Sequence, residues 1–258
     1  SSGGVPRIGP HWGACDPAEP RNRRRRSSVL IERRRDDGAT KGRTTVLVDT
    51  SPDLRDQLLD SNVSTLDGVI ITHDHADHTH GIDDLRAVFF QMKSRIPIYA
   101  NRETKETLER RFDYCFQQPA GSSYPSILKA HEIEAGKAFT LSGPGGPMSF
   151  TPILQEHGDI MSFGFRFGNV AYSPDVGGLP EASLPLLEGL DLWIVDALRP
   201  TPHPSHFSVG QTLKWIERLK VKRAILTHMT IELDYETLKR QLPSHVEPGY
   251  DGMVIEIA

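Results

Sequence analysis

The feature that most constrains this chain is a short apolar run that ends in a dense group of histidines. Residues 67–72 read DGVIIT, and four histidines follow within residues 73–80. A short apolar run bounded by turn residues is typical of a buried strand in a layered α/β protein. Such proteins place their binding and catalytic sites at the carboxyl ends of strands. We therefore expect residues 73–80 to form part of a functional site rather than a solvated loop.

The remaining composition is that of an ordinary globular chain. The 258 residues are 37% apolar and 25% charged, with a formal net charge of −4. No apolar run approaches the ~18 residues that a membrane span requires. The slightly acidic balance disfavours general nucleic-acid binding, which depends on a strong positive field. Cys15 and Cys115 are too few for a disulfide framework or a CxxC zinc site, which favours a cytoplasmic location.

Apolar periodicity predicts strands and helices in two successive halves of the chain. Early strands are expected at 28–32 and 44–49, joined by a turn at 37–38, and a last strand at 253–257. Alternation of strands with helices comes later in each half. Helices on both outer faces of two packed sheets would make a four-layer αββα sandwich of the α/β class, a single domain over residues 1–258.

The spacing inside the histidine cluster suits metal ligation. His73 and His75 are two residues apart, so their rings point the same way in extended chain and converge on one cation. Asp77 and His78 follow where the chain turns toward a helix, and they can reach a second cation. Imidazole and carboxylate ligands without thiolate suit zinc, manganese or iron. We expect Asp74 to orient a histidine or a water beside this centre.

The pattern H-x-H-x-D-H after an apolar strand resembles the signature of the metallo-β-lactamase superfamily. The resemblance implies the metallo-β-lactamase sandwich and two divalent metal ions, with zinc favoured and manganese as the alternative. It also implies seven ligand positions, including one carboxylate shared by both ions. The matching residues are His73, His75 and His157 for one ion, Asp77, His78 and His228 for the other, and Asp175 as the bridge. The last three histidine and aspartate positions, His157, Asp175 and His228, each follow a predicted strand.

Further motifs resemble the phosphodiesterase branch of that superfamily, which includes tRNA 3′-processing ribonucleases and the phosphoribosyl cyclic phosphate phosphodiesterase. They are the glycine loop 1–6, the segments 24–28 and 49–54, and the tripeptide at 206–208. In that branch a histidine before the last ligand acts on the phosphate. His206 fits this position, and His203 is the alternative. The resemblance thus implies His206 as a catalytic residue, with Asp77 serving both as ligand and in catalysis.

The implied reaction is hydrolysis of a phosphodiester, because a bound metal lowers the pKa of water from ~15.7 to about 7 and so provides a nucleophile. We expect a small cyclic sugar phosphate or a nucleotide-like substrate. His206 and His203 are expected to contact it, and the backbone of Ser2, Gly3 and Gly4 can approach a phosphate closely. The basic run 21–26 is either a solvated face or a second phosphate contact.

Two other functions stay open at this point. One is a tRNA 3′-processing type of endoribonuclease, which the acidic charge and a short hairpin loop at 143–147 disfavour. The other is a non-catalytic nucleotide-binding or cofactor-biosynthesis accessory protein, which the complete ligand set disfavours. We expect a small phosphodiester or nucleotide as the binding partner, with no membrane and no stable nucleic-acid partner. The resemblance admits a homodimer, and with only Cys15 among the early residues we predict no additional structural zinc.

Overall fold

A computed structural model describes residues 4–36 and 41–257 of the chain. The chain divides into two compact units. The first unit is Ser28–Pro152, and the second unit combines Ser1–Ser27 with Ile153–Ala258. The prediction of one domain over residues 1–258 stays a prediction. The expected turn at residues 37–38 lies outside the described residues.

The first unit contains a five-stranded sheet whose spatial order follows the chain. Its strands are β1 (Val29–Asp36), β2 (Lys41–Val48), β3 (Gly68–Ile70), β4 (Ile96–Ala100) and β5 (Leu128–Glu132). β1 and β2 are antiparallel, and the following pairs are parallel. Val69, Ile70 and Ile71 are completely buried, as expected for the apolar run of a parallel strand covered on both faces.

Helices connect the parallel strands of the first unit and supply its core. They are α1 (Leu54–Asp60), α2 (Ala76–Thr79), α3 (Leu85–Met92), α4 (Arg102–Arg111) and α5 (Asp113–Phe116). Leu54, Ile82 and Leu85 are fully buried in the cluster that packs against the sheet. α4 begins at Asn101, whose side chain accepts a hydrogen bond from the Thr104 N–H and so satisfies one free donor of the helix start.

The second sheet has the spatial order β12-β11-β10-β9-β8-β7-β6. Its strands are β6 (Phe139–Gly143), β7 (Gly146–His157), β8 (Ile160–Phe167), β9 (Val170–Ser173), β10 (Leu192–Asp196), β11 (Arg223–Thr227) and β12 (Val246–Pro248). The β6/β7 and β8/β9 pairs are antiparallel, whereas β9 to β12 run parallel. Parallel strands bring their carboxyl ends to one edge, and Ser173, Asp196 and Thr227 end three of them.

Two helices of the second unit connect parallel strands of this sheet: α6 (Val209–Arg218) lies between β10 and β11, and α7 (Tyr235–Gln241) lies between β11 and β12. α6 begins with a capping box, in which the Ser208 side chain accepts from the Gln211 N–H and the Gln211 side chain accepts from the Ser208 N–H. Reciprocal capping fixes where the helix starts. The cap therefore also fixes the loop that carries His206, two residues earlier. None of the described helices is long and apolar enough to cross a membrane.

The glycine-rich turn at residues 143–147 is the hairpin loop that the sequence predicts. Gly143 pairs with Gly146 at the end of the β6/β7 hairpin, and the loop packs against β1 and β2. A Cβ on Gly145 would lie 2.1 Å from the Arg33 carbonyl oxygen. Only glycine allows two backbones to approach so closely.

The strand expected at 253–257 is wrong, since these residues form no strand in the structure. Met253 and Ile255 pack against Val170, Leu192 and Ile225, which explains their apolar character. The last strand is β12 instead, which pairs with β11. A run of apolar residues reports burial, but the ladder hydrogen bonds that define a strand need a partner backbone.

Candidate metal centre

The first unit gathers the four predicted ligands of the segment after β3. The ring centroids of His73 and His75 are 4.5 Å apart, and those of His73 and His78 are 4.4 Å apart. Asp77 Oδ2 lies 3.5 Å from His78 Nε2. His73 and His78 are buried, whereas His75 is exposed. The end of β3 and the short helix α2 thus bring the side chains of the H-x-H-x-D-H pattern close together.

Asp49 supports this group from the end of β2, although the sequence did not identify it as a site residue. Its carboxylate accepts from His78 Nδ1 at 2.7 Å and from the Thr72 N–H at 2.8 Å. Asp49 has a φ of 66°, a left-handed conformation that is uncommon outside glycine. Burial raises the pKa of the Asp49 carboxyl, and the interactions with His78 and Thr72 oppose that rise.

The hydrogen bonds around Asp49 decide which ring nitrogen of each histidine carries the proton. The Thr72 hydroxyl donates to Asp49, so the 3.0 Å contact between Thr72 Oγ1 and His73 Nδ1 requires the proton on His73 Nδ1. His78 Nδ1 likewise donates to Asp49. Both rings therefore present the lone pair of Nε2, the form in which a neutral imidazole ligates a metal.

The second unit gathers the remaining predicted ligands at its strand ends. His157 ends β7, Asp175 follows β9 by two residues, and His228 directly follows β11 with a φ of 59°. Asp175 Oδ2 lies 3.5 Å from His157 Nε2, and Asp175 Oδ1 lies 3.4 Å from His228 Nε2. All three side chains are buried. The two carboxylate oxygens thus each approach a different histidine.

A backbone carbonyl fixes the tautomer of His157. His157 Nδ1 lies 2.7 Å from the Ser205 carbonyl oxygen, which can only accept, so Nδ1 carries the proton and Nε2 the lone pair. Close packing holds Ser205 in place, because a Cβ on Gly158 or Gly177 would lie 2.9 or 2.8 Å from atoms of Ser205. These glycines let the Ser205 segment lie directly against the His157 strand end.

His206 lies close to the proposed ligands Asp175 and His228. Its Nε2 lies 3.8 Å from Asp175 Oδ2, and its ring stacks on that of His228 with centroids 4.9 Å apart. Asp196, at the end of β10, accepts from His206 Nδ1 at 2.7 Å. Asp196 is not among the site residues predicted from the sequence. The same strand-end rule that selected Asp175 could have selected it.

His203, the alternative to His206, lies beside it with ring centroids 5.2 Å apart. The Ser205 N–H donates to His203 Nδ1 at 3.3 Å, so the proton of a neutral His203 is on Nε2. Partial burial, together with His206 and Arg199, lowers the pKa of His203. His203 is thus a neutral Nε2–H donor, the opposite tautomer to that of His157.

The donors of both units fit a divalent metal. Two ligand atoms that share one tetrahedral zinc at ~2.1 Å lie about 3.4 Å apart. Three donor pairs, one in the first unit and two around Asp175, are separated by 3.4–3.5 Å. Neutral Nε2 lone pairs and carboxylates suit zinc and also manganese or iron, so donor chemistry does not choose among them.

Within the basic run, Arg24 is a structural residue and not part of a solvated face. Arg24 is buried, and its guanidinium donates to the carbonyl oxygens of Thr230 and Leu233. Gly4, with a φ of 68°, lies against the Arg24 backbone. The other two predicted loop contacts, Ser2 and Gly3, are outside the described residues. Arg24 thus ties the N-terminal segment to the chain that follows His228.

Of the two roles expected for Asp74, orientation of a histidine is wrong, and orientation of a water stays a prediction. Its carboxylate does not orient a ligand histidine but pairs with Arg111, with Asp74 Oδ2 3.3 Å from Arg111 Nη2. Arg111 Nη1 also donates to the Asp74 carbonyl oxygen at 2.7 Å. Asp74 is the residue between His73 and His75, so its side chain points away from theirs in extended backbone.

Comparison with known proteins decides the family. The family model described as Beta-lactamase superfamily domain matches residues 44–229, which include all seven predicted ligands. The chain belongs to the beta-lactamase superfamily. The α/β class and the metallo-β-lactamase fold, with mixed sheets flanked by helices, are therefore confirmed.

Solved structures and curated proteins show which members of the superfamily are similar to this chain. The structure of a new diphosphatase from the PhnP family is 35% identical, with a TM-score of 0.85 over 98% of this chain and 92% of that chain. Zn(2+)-bound PqqB from Methylobacterium extorquens is 18% identical over 99% of this chain and 96% of its own, with a TM-score of 0.71, a likeness of fold alone. An octanoyltransferase of Porphyromonas gingivalis (strain ATCC BAA-308 / W83) is 29% identical over 258 residues, 98% of this chain and 49% of that protein.

These findings confirm the expected branch of the superfamily. The chain has the metallo-β-lactamase fold and is similar to a diphosphatase of the PhnP family. Members of this fold normally bind divalent metals, and the His and Asp clusters described above can hold them. The chain spans half or less of the length of the curated relatives that it matches.

Proposed function

We propose that this chain is a two-metal phosphodiesterase that hydrolyses small phosphate esters or anhydrides. The ligands proposed for one ion are His73, His75 and His157. Those proposed for the other are Asp77, His78 and His228, with Asp175 shared by both. The membership of the chain in a family of metal-dependent hydrolases supports this assignment.

The observation that carries the proposal is the placement of the Asp175 carboxylate. Its Oδ2 lies 3.5 Å from His157 Nε2 and its Oδ1 lies 3.4 Å from His228 Nε2. A carboxylate between two separate histidines, each at the spacing of ligands on a common ion, is suited to bridge two metals.

The chain's own residues then supply orientation and proton transfer. Metals at such a centre act as Lewis acids and make water nucleophilic at neutral pH. Asp196 holds the Nδ1–H tautomer of His206 and stabilises the imidazolium form, so His206 Nε2 holds the proton for the leaving oxygen. His203 offers a neutral Nε2–H donor beside it, which suits binding of a phosphate oxygen.

A small substrate is favoured over RNA. The 143–147 loop packs onto β1 and β2 within the first unit, and so is not an extended arm. The buried guanidinium of Arg24 is used on carbonyl oxygens of the protein, which removes it as a phosphate contact. The PhnP-family relative, 35% identical, is a diphosphatase, which extends the candidate substrates from cyclic sugar phosphates to diphosphates.

Hydrolysis assays with measured metal content test the proposal. We expect the zinc- or manganese-loaded protein to hydrolyse bis(p-nitrophenyl) phosphate and to lose that activity on chelation. His206→Ala should lower kcat by about 10²–10⁴-fold while two metals per chain remain bound. His131→Ala is the matched control, since His131 stacks on Tyr99 in β4 and lies in neither ligand group. Two bound metals without hydrolysis of any cyclic, linear or diphosphate ester would contradict the proposal.

A further inference from the structure

A cleft in the first unit opens directly beside one of the proposed ligands. It has a volume of about 450 Å³, within the ~300–1,000 Å³ of typical small-molecule sites. The lining residues are Asp74, His75, Ala76, His80, Arg111 and Phe112. His75 belongs to the proposed metal centre, whereas His80, Arg111 and Phe112 have no part in it. When the reacting phosphorus of a substrate lies near His75, the cleft can therefore hold the group attached to that phosphorus.

Arg111 places a positive charge in this cleft, and only some of its N–H donors are hydrogen-bonded to the protein. Asp74 takes two of its donors, one through the backbone carbonyl oxygen at 2.7 Å and one through the carboxylate at 3.3 Å. A guanidinium has five N–H donors in a fixed plane, so further donors remain for a second acceptor. The side chain is 44% exposed, and it lines the cleft. Arg111 is thus an oriented donor for an anionic oxygen.

Phe112 and His80 give the same cleft two aromatic rings. Their centroids are 5.7 Å apart and their planes are nearly perpendicular, with Phe112 partly packed against the core of the first unit. A ring anchored in a core presents a fixed surface on which a planar heterocycle can stack. A cation for an oxyanion next to a rigid aromatic surface is the combination that recognises a nucleotide.

We propose that this cleft binds the leaving group of the substrate, and that this group is a nucleoside 5′-phosphate. The inference rests on the proposed phosphodiesterase function and specifies its substrate class, a nucleotide joined through a diphosphate. Water oxygen bonds to one phosphorus, the bond from that phosphorus to the bridging oxygen breaks, and the bridging oxygen leaves on the second phosphate. His206 gives its proton to the leaving phosphate, one water proton replaces it on His206, and the other water proton goes to solvent. Arg111 holds the leaving phosphate, and Phe112 and His80 hold its base.

Binding of AMP and of inorganic phosphate to the metal-loaded protein tests the cleft without turnover. We expect AMP to bind more tightly than phosphate to the unmodified protein. Arg111→Gln and Phe112→Leu should each weaken AMP binding by about 5-fold or more, the size expected for loss of a charge-assisted hydrogen bond or of a stacked base. Arg110→Gln is the matched control, because Arg110 lies in the same helical turn and bonds to Thr107. It should match the unmodified protein.

Two kinetic and metal measurements separate the possible failures. The kcat/KM ratio of diadenosine diphosphate to bis(p-nitrophenyl) phosphate should fall about 5-fold or more in Arg111→Gln. Loss of metal with an equal decline on both substrates would identify Arg111 as a clamp on the His73–His75 loop and overturn the subsite. AMP binding no tighter than phosphate would also overturn it. If neither substrate is hydrolysed, the proposed function falls, while the AMP titrations still decide the cleft.

Discussion

Substitution of Asp49 by asparagine tests how the fold prepares its histidines for metal. The carboxylate accepts from His78 Nδ1 and from both the N–H and the hydroxyl of Thr72, all at 2.7–3.1 Å. Asparagine has the same shape but a single acceptor oxygen. Its NH₂ group must therefore face a donor, either that of Thr72 or that of His78. If it faces His78, the ring changes to the Nε2–H tautomer, which cannot ligate a metal through Nε2.

The size of the effect follows from these contacts. A hydrogen bond to a charged acceptor contributes about 1.5–3 kcal/mol, and loss of such an orienting partner typically lowers metal affinity 10–100-fold. These two figures agree, since 10–100-fold corresponds to about 1.4–2.7 kcal/mol. We therefore expect Asp49→Asn to weaken the affinity of at least one of the two metal sites by 10–100-fold.

Chelator competition with zinc, followed by metal analysis, measures this affinity. Asp56→Asn is the control, since Asp56 is an exposed carboxylate in α1 and pairs with Arg55. The titrations should be done well below the melting temperature of each variant. The buried donor left unsatisfied in Asp49→Asn also lowers the free energy of unfolding by about 1–3 kcal/mol. Wild-type affinity at both sites in Asp49→Asn would refute the argument from tautomers.

Three further outcomes follow from the structure. Arg24→Met should lower the free energy of unfolding by about 3 kcal/mol in urea titrations, since it strands the buried carbonyl oxygen of Thr230; a loss under 1 kcal/mol would contradict this. Gly145→Ala should cost about 1–3 kcal/mol, because its Cβ would meet the Arg33 carbonyl oxygen, and unchanged hydrogen exchange of the hairpin would contradict the close approach. Burial and the nearby Asp83 carboxylate raise the pKa of Cys115 to about 11. As the pH rises, the Cys115 thiol therefore keeps its proton in the native state after the unfolded chain has lost it. The resulting stability is fully present below pH 9 and is lost as the pH rises toward 11. Cys115→Ala should reduce this decline in the free energy of unfolding, and an unchanged decline in the variant would show that the thiol is not its source.

The fold could be predicted where the sequence pattern and the physical cause coincide. The apolar run at 67–72 contains β3, and the strands expected at 28–32 and 44–49 overlap β1 and β2, because each is a short apolar segment with turn residues nearby. β5 was missed because Leu128–Glu132 has only two apolar residues, Leu128 and Ala130, and so carries a weak strand signal. The apolar residues at 253–257 were misassigned as a strand, although burial alone explains them.

The candidate site was predicted as far as ligand chemistry reaches. The seven proposed ligands form one cluster in each unit, four in the first and three in the second. They could be predicted because strand ends and histidine spacing are visible in the sequence. Asp49 and Asp196 were missed, since an aspartate that orients a histidine looks like any other strand-end aspartate until a partner across the fold is known. The burial of Arg24 was hidden for a similar reason, since its acceptors come from residues more than 200 positions away.

A crystal structure of the zinc- or manganese-loaded protein, with metals located by anomalous scattering, tests the central assignment most directly. We predict two ions about 3.5–4 Å apart, one contacting His157, the other contacting His228, and both contacting Asp175. A single ion, or an Asp175 that contacts neither ion, would contradict the two-metal account.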